Sequence, residues 1–296
     1  MASFVWVVLV GWWMRTESLQ FLQTAGHSQA GVHFHGNCLT LPSVLPSFGA
    51  CFATLDQIIS ISTSTLSQGV SMHIEPGVVQ GAKLLLGFGT ALTAFGLILR
   101  QCWEFLIQHG LNTLLGRTIF TSVLVFSFFE ILPSSPVGVS EVHLILGSTL
   151  FLLFGLVPTA LGLAIGLLAQ GVLLAPWDLP QYGMNVTTLL LPLLVVSAVA
   201  ERIIPRQTAY QDLSYGQVLQ LSLVYQGGIV SWVAFWAFYG QGFGAENMLQ
   251  VLSFGSAYLS VIVLEPLIDL SLLAGVKILP SLRNSSLFSK RLFQPA

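Results

Sequence analysis

Seven long apolar stretches follow one another between residues 81 and 277, and few folds are open to a chain built that way. They run approximately over 81–100, 118–133, 142–157, 158–175, 186–203, 216–239 and 247–277. Crossing a hydrocarbon core about 30 Å thick takes roughly 20 residues of helix. Only 7% of the residues are charged and 54% are hydrophobic, whereas a water-facing surface calls for about 25% charged residues. The chain is therefore predicted to be an all-α, polytopic membrane helix bundle of about seven transmembrane helices. The third and fourth stretches form one run too long for a single crossing. Pro158, preceded by Gly155, is its predicted break, because proline removes a backbone donor and disfavours helix just before it.

Charge placement supplies an independent check. If the first helix enters from outside, then Arg100, Arg117, Arg202, Arg206, Lys277, Arg283, Lys290 and Arg291 all fall on the inner face, leaving out only Arg15 and Lys83. The outer loops hold Glu75, Glu141, Asp178 and Glu246 instead. The positive-inside rule then sets the N-terminus outside and the C-terminus inside, with an odd number of crossings of the plasma (inner) membrane. Residues 281–296 are the predicted cytoplasmic tail. A net charge of −2 excludes a strongly basic nucleic-acid surface. Cys38, Cys51 and Cys102 have no CxxC spacing and give neither a disulfide framework nor a zinc knuckle.

Small residues recur at helical spacing in Gly162-Leu-Ala-Ile-Gly166 and in the Gly87, Gly89, Ala91 cluster, which predicts close helix packing. Residues 1–71 differ in character. Their short apolar run over 2–14 lacks the basic residue that precedes the apolar part of a secretory signal. A Ser/Thr/Gly-rich mixture without period follows, so the extension is predicted to be poorly structured.

No catalytic constellation is legible. Gly77-Val-Val-Gln-Gly81-Ala-Lys83 is too short for a phosphate-binding loop, and no Ser or Thr follows the lysine. There is no HExxH. Six histidines remain: His27, His33, His35, His73, His109 and His143. In the topology above, His73 and His143 share the outer mouth of the bundle. A lone histidine is usually structural; two converging ones fit a ligand pair and a structural pair equally.

Three blocks carry a family resemblance. Met72-His73-Ile74-Glu75 stands just ahead of the first helix. Glu141-Val-His143-Leu-Ile-Leu-Gly147 opens the third stretch, and Pro176-Trp-Asp-Leu-Pro-Gln-Tyr-Gly183-Met-Asn185 precedes the fifth. In this order and spacing they resemble the CbiM/NikM-type substrate-capture subunits of energy-coupling-factor (ECF) ABC transporters, over residues 72–280. The resemblance implies a site for one Co(II) or Ni(II) ion, carried as substrate rather than cofactor. Its donors would be the free amine of Met72, the backbone nitrogen and imidazole of His73, and the imidazole of His143. Nitrogen donors suit these ions and not Mg or Ca. Glu75 and Asn185 are candidates to orient the imidazoles through hydrogen bonds, although Asn185 also fits a helix cap. The resemblance further implies a transmembrane coupling subunit, ECF ATPase subunits that hydrolyse ATP in place of this chain, and a small accessory membrane protein.

The sequence departs from that pattern because Met72 is not its first residue. Translation from Met72, removal of a leader before it, and an altered site using His33 and His35 all stay open. Glu265 and Asp269, four apart near the inner end of the last stretch, fit either coupling to a partner subunit or a solvated position. Two other classes of function also stay open. A secondary carrier of a small organic substrate would work without partner ATPases, and a non-transporting membrane scaffold would bind no metal.

Overall fold

A computed structural model describes residues 74, 77–132, 134–279, 282–283 and 285–295. Met72, His73, Glu75, His33 and His35 lie outside the described residues. Seven helices carry the bundle: α1 (Leu84–His109), α2 (Leu111–Ile131), α3 (Gly147–Phe154), α4 (Leu156–Leu173), α5 (Tyr182–Ile203), α6 (Tyr215–Gln241) and α7 (Ala245–Ile278). A short turn of helix, α8 (Lys290–Phe293), ends the chain. Six of these segments, α3 and α8 excepted, are long and apolar enough to cross a membrane. The protein is a multi-pass, all-α membrane bundle.

The third predicted stretch, over 142–157, takes a different form. Its first residues belong to an antiparallel hairpin, β1 (Ser134–Val137) and β2 (Ser140–His143), with Ser134 opposite His143. Gly138 makes the turn with φ +63°, and a Cβ there would drive into the carbonyl of Gln250 on α7. Only glycine fits. An extended link and the eight residues of α3 complete the segment.

This segment nevertheless traverses the bundle. His143 lies beside Phe129 near the end of α2, ring centroids 5.7 Å apart. At the other end, the carbonyl of Phe154 accepts from Arg117 near the start of α2, at 3.4 Å. The stretch from 143 to 154 therefore runs antiparallel to α2 over most of its length. A strand rises about 3.3 Å per residue and a helix 1.5 Å, so a partly extended crossing needs fewer residues. The predicted break falls at Gly155 (φ +87°). Pro158 is instead the third residue of α4, in the first turn, where a missing N–H costs little.

Small residues set the packing of neighbouring helices. A Cβ on Gly166 would stand 2.7 Å from Val125, and one on Gly162 would collide with Thr121, so α2 and α4 pack in parallel at backbone distance. Thr121 Oγ1 donates to the Pro158 carbonyl at 2.8 Å across that contact. Of the other predicted cluster, Gly87 packs tightly against Met184 and Ala91 is buried, while Gly89 has open space beside it.

The two ends of the bundle differ in charge. At one end Lys277 pairs with Asp212 at 3.1 Å. There the buried guanidinium of Arg117 donates to the carbonyls of Ser286 (2.8 Å), Phe288 and Phe154. Ser289 N donates to the Leu153 carbonyl at 2.7 Å, and Leu292 is fully buried. The C-terminal segment is thus packed onto the helices. At the opposite end Lys83 Nζ donates to the carbonyls of Tyr239 (2.9 Å) and Gly240 (3.0 Å), neutralising the negative end of α6.

Candidate metal site

The hairpin explains how the site is built. Side chains two apart on a strand share a face, and Glu141 and His143 are two apart on β2. Both are buried, with 3% and 5% of their surface exposed. His143 Nε2 lies 3.0 Å from Glu141 Oε2. The hydroxyl of Tyr258 on α7 meets the backbone of His143, and the Phe129 ring packs against the imidazole with the two planes 75° apart. The histidine is thereby fixed from three sides.

A cavity of about 30 Å³ opens beside this pair, lined among others by Ile74, Glu141, His143, Asn185, Thr188 and Tyr258. That is room for one water or one small ion. Its polar lining combines one carboxylate with an imidazole, an amide and hydroxyls. Among the described residues neither carboxylate oxygen of Glu141 receives an aligned hydrogen bond, and neither does Asn185 Oδ1. Buried acceptors without donors are rare and call for an explanation. A cation or a donating water in the cavity would satisfy them; an apolar or anionic occupant would not.

Asn185 reaches the cavity through a close helix crossing. A Cβ on Gly183 would stand 2.9 Å from the carbonyl carbon and oxygen of Gly87, so α1 and α5 touch backbone to backbone there. Asn185 is the fourth residue of α5 rather than its cap; Gln181 holds that position. Packing, not capping, decides its role.

Of the predicted site residues, the structure brings His143 and Asn185 to one cavity. Met72, His73 and Glu75 lie outside the described residues. Ile74, which follows His73 in the chain, is 2% exposed and lines the same cavity. Among the described residues no three of His, Cys, Asp and Glu gather to hold a metal ion. His109, the other described histidine, closes α1 at the opposite end, stacked on Phe105.

Sequence reasoning did not pair Glu141 with His143. The signal was present: Glu-x-His places both groups on one side only when the segment is extended, and the segment reads as the start of a helix. Glu265 and Asp269 are not in the solvated position that was one of the two expectations for them. They are 0% and 1% exposed, inside the bundle, because α7 continues past them to Ile278.

A family model described as CbiM, cobalt uptake substrate-specific transmembrane region, matches residues 73–281. No curated protein matches the chain, and no solved structure does.

Proposed function

Because the chain belongs to the CbiM family of cobalt-uptake transmembrane regions, we propose that it captures one Co(II) or Ni(II) ion in the His143 cavity for ATP-driven import. The ligands in this reading are the amine of Met72, the backbone nitrogen and imidazole of His73, and the imidazole of His143. Nitrogen donors favour late first-row ions over the hard alkaline-earth ions. The observation that carries the reading is the pairing of buried His143 with the donor-poor acceptors of Glu141 and Asn185 around one ion-sized cavity. Glu141 Oε2 stands 3.0 Å from Nε2, and in this reading ion binding brings the two into alignment, so that the carboxylate orients the ring and Nδ1 takes the ion, as carboxylate–imidazole pairs do at metal centres.

Amine coordination needs Met72 as the first residue of the working chain, since an amide nitrogen in mid-chain is not basic. In this reading the end bearing His143 faces outward and the basic end inward, following the positive-inside rule. The chain itself hydrolyses no ATP. A transmembrane coupling subunit, ECF ATPase subunits and a small accessory membrane protein complete the importer.

The deciding experiment compares purified protein starting at Met72 with the full-length chain, each loaded with nickel or cobalt and analysed for bound metal. One ion per chain in the short form, with far weaker loading of the long form, supports the amine ligand. Equal binding by both forms refutes it. Absence of any bound ion in both refutes capture altogether.

A further inference from the structure

A second polar cluster sits inside the bundle, apart from the metal cavity. Glu265 and Asp269 lie one turn apart on α7, fully enclosed. Ser148 on α3 bridges them: its Oγ is 3.0 Å from Glu265 Oε1 and 3.0 Å from Asp269 Oδ2. Thr149 Oγ1 contacts Asp269 Oδ1. From α6, Ser222 Oγ lies 3.3 Å from Glu265 Oε2, and Gln226 Nε2 contacts the same oxygen. The backbone N–H of Ser148 also points at Glu265.

Hydrogens can be counted here. A serine hydroxyl carries one proton, so Ser148 can donate to one carboxyl oxygen only. Its second carboxyl contact, at the same distance, needs a proton from the carboxyl side. Two ionised carboxylates would leave that contact repulsive in a low-dielectric interior, where desolvation already disfavours charge. Among the described residues no lysine, arginine or histidine pairs with either group. The titratable side chains near the pair are tyrosines, Tyr225 from α6 and Tyr258 from α7, and α3 contributes only hydroxyls. Tyr225 adds an independent sign. Its hydroxyl is wholly buried, packs against Gly147 beside Ser148, lies within electrostatic reach of Glu265 and has no hydrogen-bond partner among the described residues.

We propose that this cluster is a membrane-embedded proton site, in which Asp269 holds a proton and donates it to Ser148 Oγ, while Ser148 donates in turn to an ionised Glu265. The direction follows from the donors. Among the described residues Glu265 faces the Ser148 hydroxyl and backbone N–H, Ser222 and Gln226, whereas Asp269 has only Thr149 besides the bridging serine. A metal ion suits the place less well, because the hydroxyls and amide present hydrogens to the carboxyl oxygens and would have to turn away. The bound proton links α3, which follows His143, to the last helix, and makes their contact dependent on a single titration.

Infrared spectroscopy of the full-length protein in lipid tests this at neutral pH. A protonated-carboxyl C=O band should stand out in the difference between wild type and Asp269→Asn, and Ser148→Ala should shift that band. If Asp269→Asn does not fold, the Ser148→Ala shift carries the test alone. No carboxylic-acid band in wild type overturns the proposal. So does a band that persists in Asp269→Asn, a band that Ser148→Ala leaves unmoved, or a band abolished by adding sodium or magnesium.

Discussion

His143 and Glu141 stand on the same face of β2, with Nε2 and Oε2 3.0 Å apart and both side chains closed off from the surface. The pairing depends on two residues of extended chain. Had α3 begun at residue 141, side chains two apart would have diverged by about 200° around the helix.

Replacing His143 by Ala should abolish high-affinity nickel or cobalt binding without unfolding the bundle. Calorimetric titration beside a circular dichroism spectrum checks it, and unchanged affinity would remove His143 from the site. Glu141→Gln keeps the size of the side chain but weakens its hold on the imidazole. Its expected cost is about 10–100-fold in affinity, the usual scale for a group that orients a metal-bound histidine.

Metal affinity should fall as the medium is acidified. An imidazole and an amine bind metal only without their protons, so protons compete more strongly at lower pH. Titrations from mildly alkaline to mildly acidic pH should show a steady loss with release of protons on binding. An affinity flat across that range would mean that the ligands do not titrate there and that the donor set is wrong.

Arg117 makes its hydrogen bonds to three carbonyls, two of them in the C-terminal segment. Removing its side chain leaves those acceptors short of a donor. Arg117→Ala should destabilise the protein by about 2–4 kcal/mol, a scale set by charge-assisted hydrogen bonds that do not add fully. It should also expose the segment around Ser289 to proteolysis while the helices resist. A tail as protected as in wild type would contradict this role.

Gly183→Ala places a methyl group against the backbone of Gly87. Backbone cannot swing aside as a side chain can, so α1 and α5 must part. The expected penalty is about 1–3 kcal/mol, together with weaker metal binding, because Asn185 lies two residues further on. Gly89→Ala serves as the control, since a Cβ there meets nothing within 4 Å. Equal melting temperatures for the two variants would show that the crossing can yield.

Much of the fold was legible because lipid imposes a simple test on sequence. Apolar length, scarcity of charge and the clustering of basic residues need no knowledge of neighbours. Gly162 and Gly166 as contacts follow from local chemistry, whereas the break expected at Pro158 falls three residues earlier, at Gly155. The form of the third crossing was not legible: Leu144, Ile145 and Leu146 read equally well as helix. Leu146 in fact takes a left-handed conformation (φ 57°) immediately before α3. That conformation is unfavourable for a bulky residue, and dense burial holds it there.

What the sequence determined by itself is that this chain lives in a bilayer, crosses it repeatedly, and carries His143 near one end of the bundle. Those facts depend on composition and order alone. Only the tertiary structure decided that Glu141 faces His143, that Asn185 enters their cavity, and that Glu265 and Asp269 are sealed among the hydroxyls of α3 and α6. Each of these is a meeting of residues far apart in the chain or turned by an extended link, and such meetings are fixed by packing rather than by periodicity.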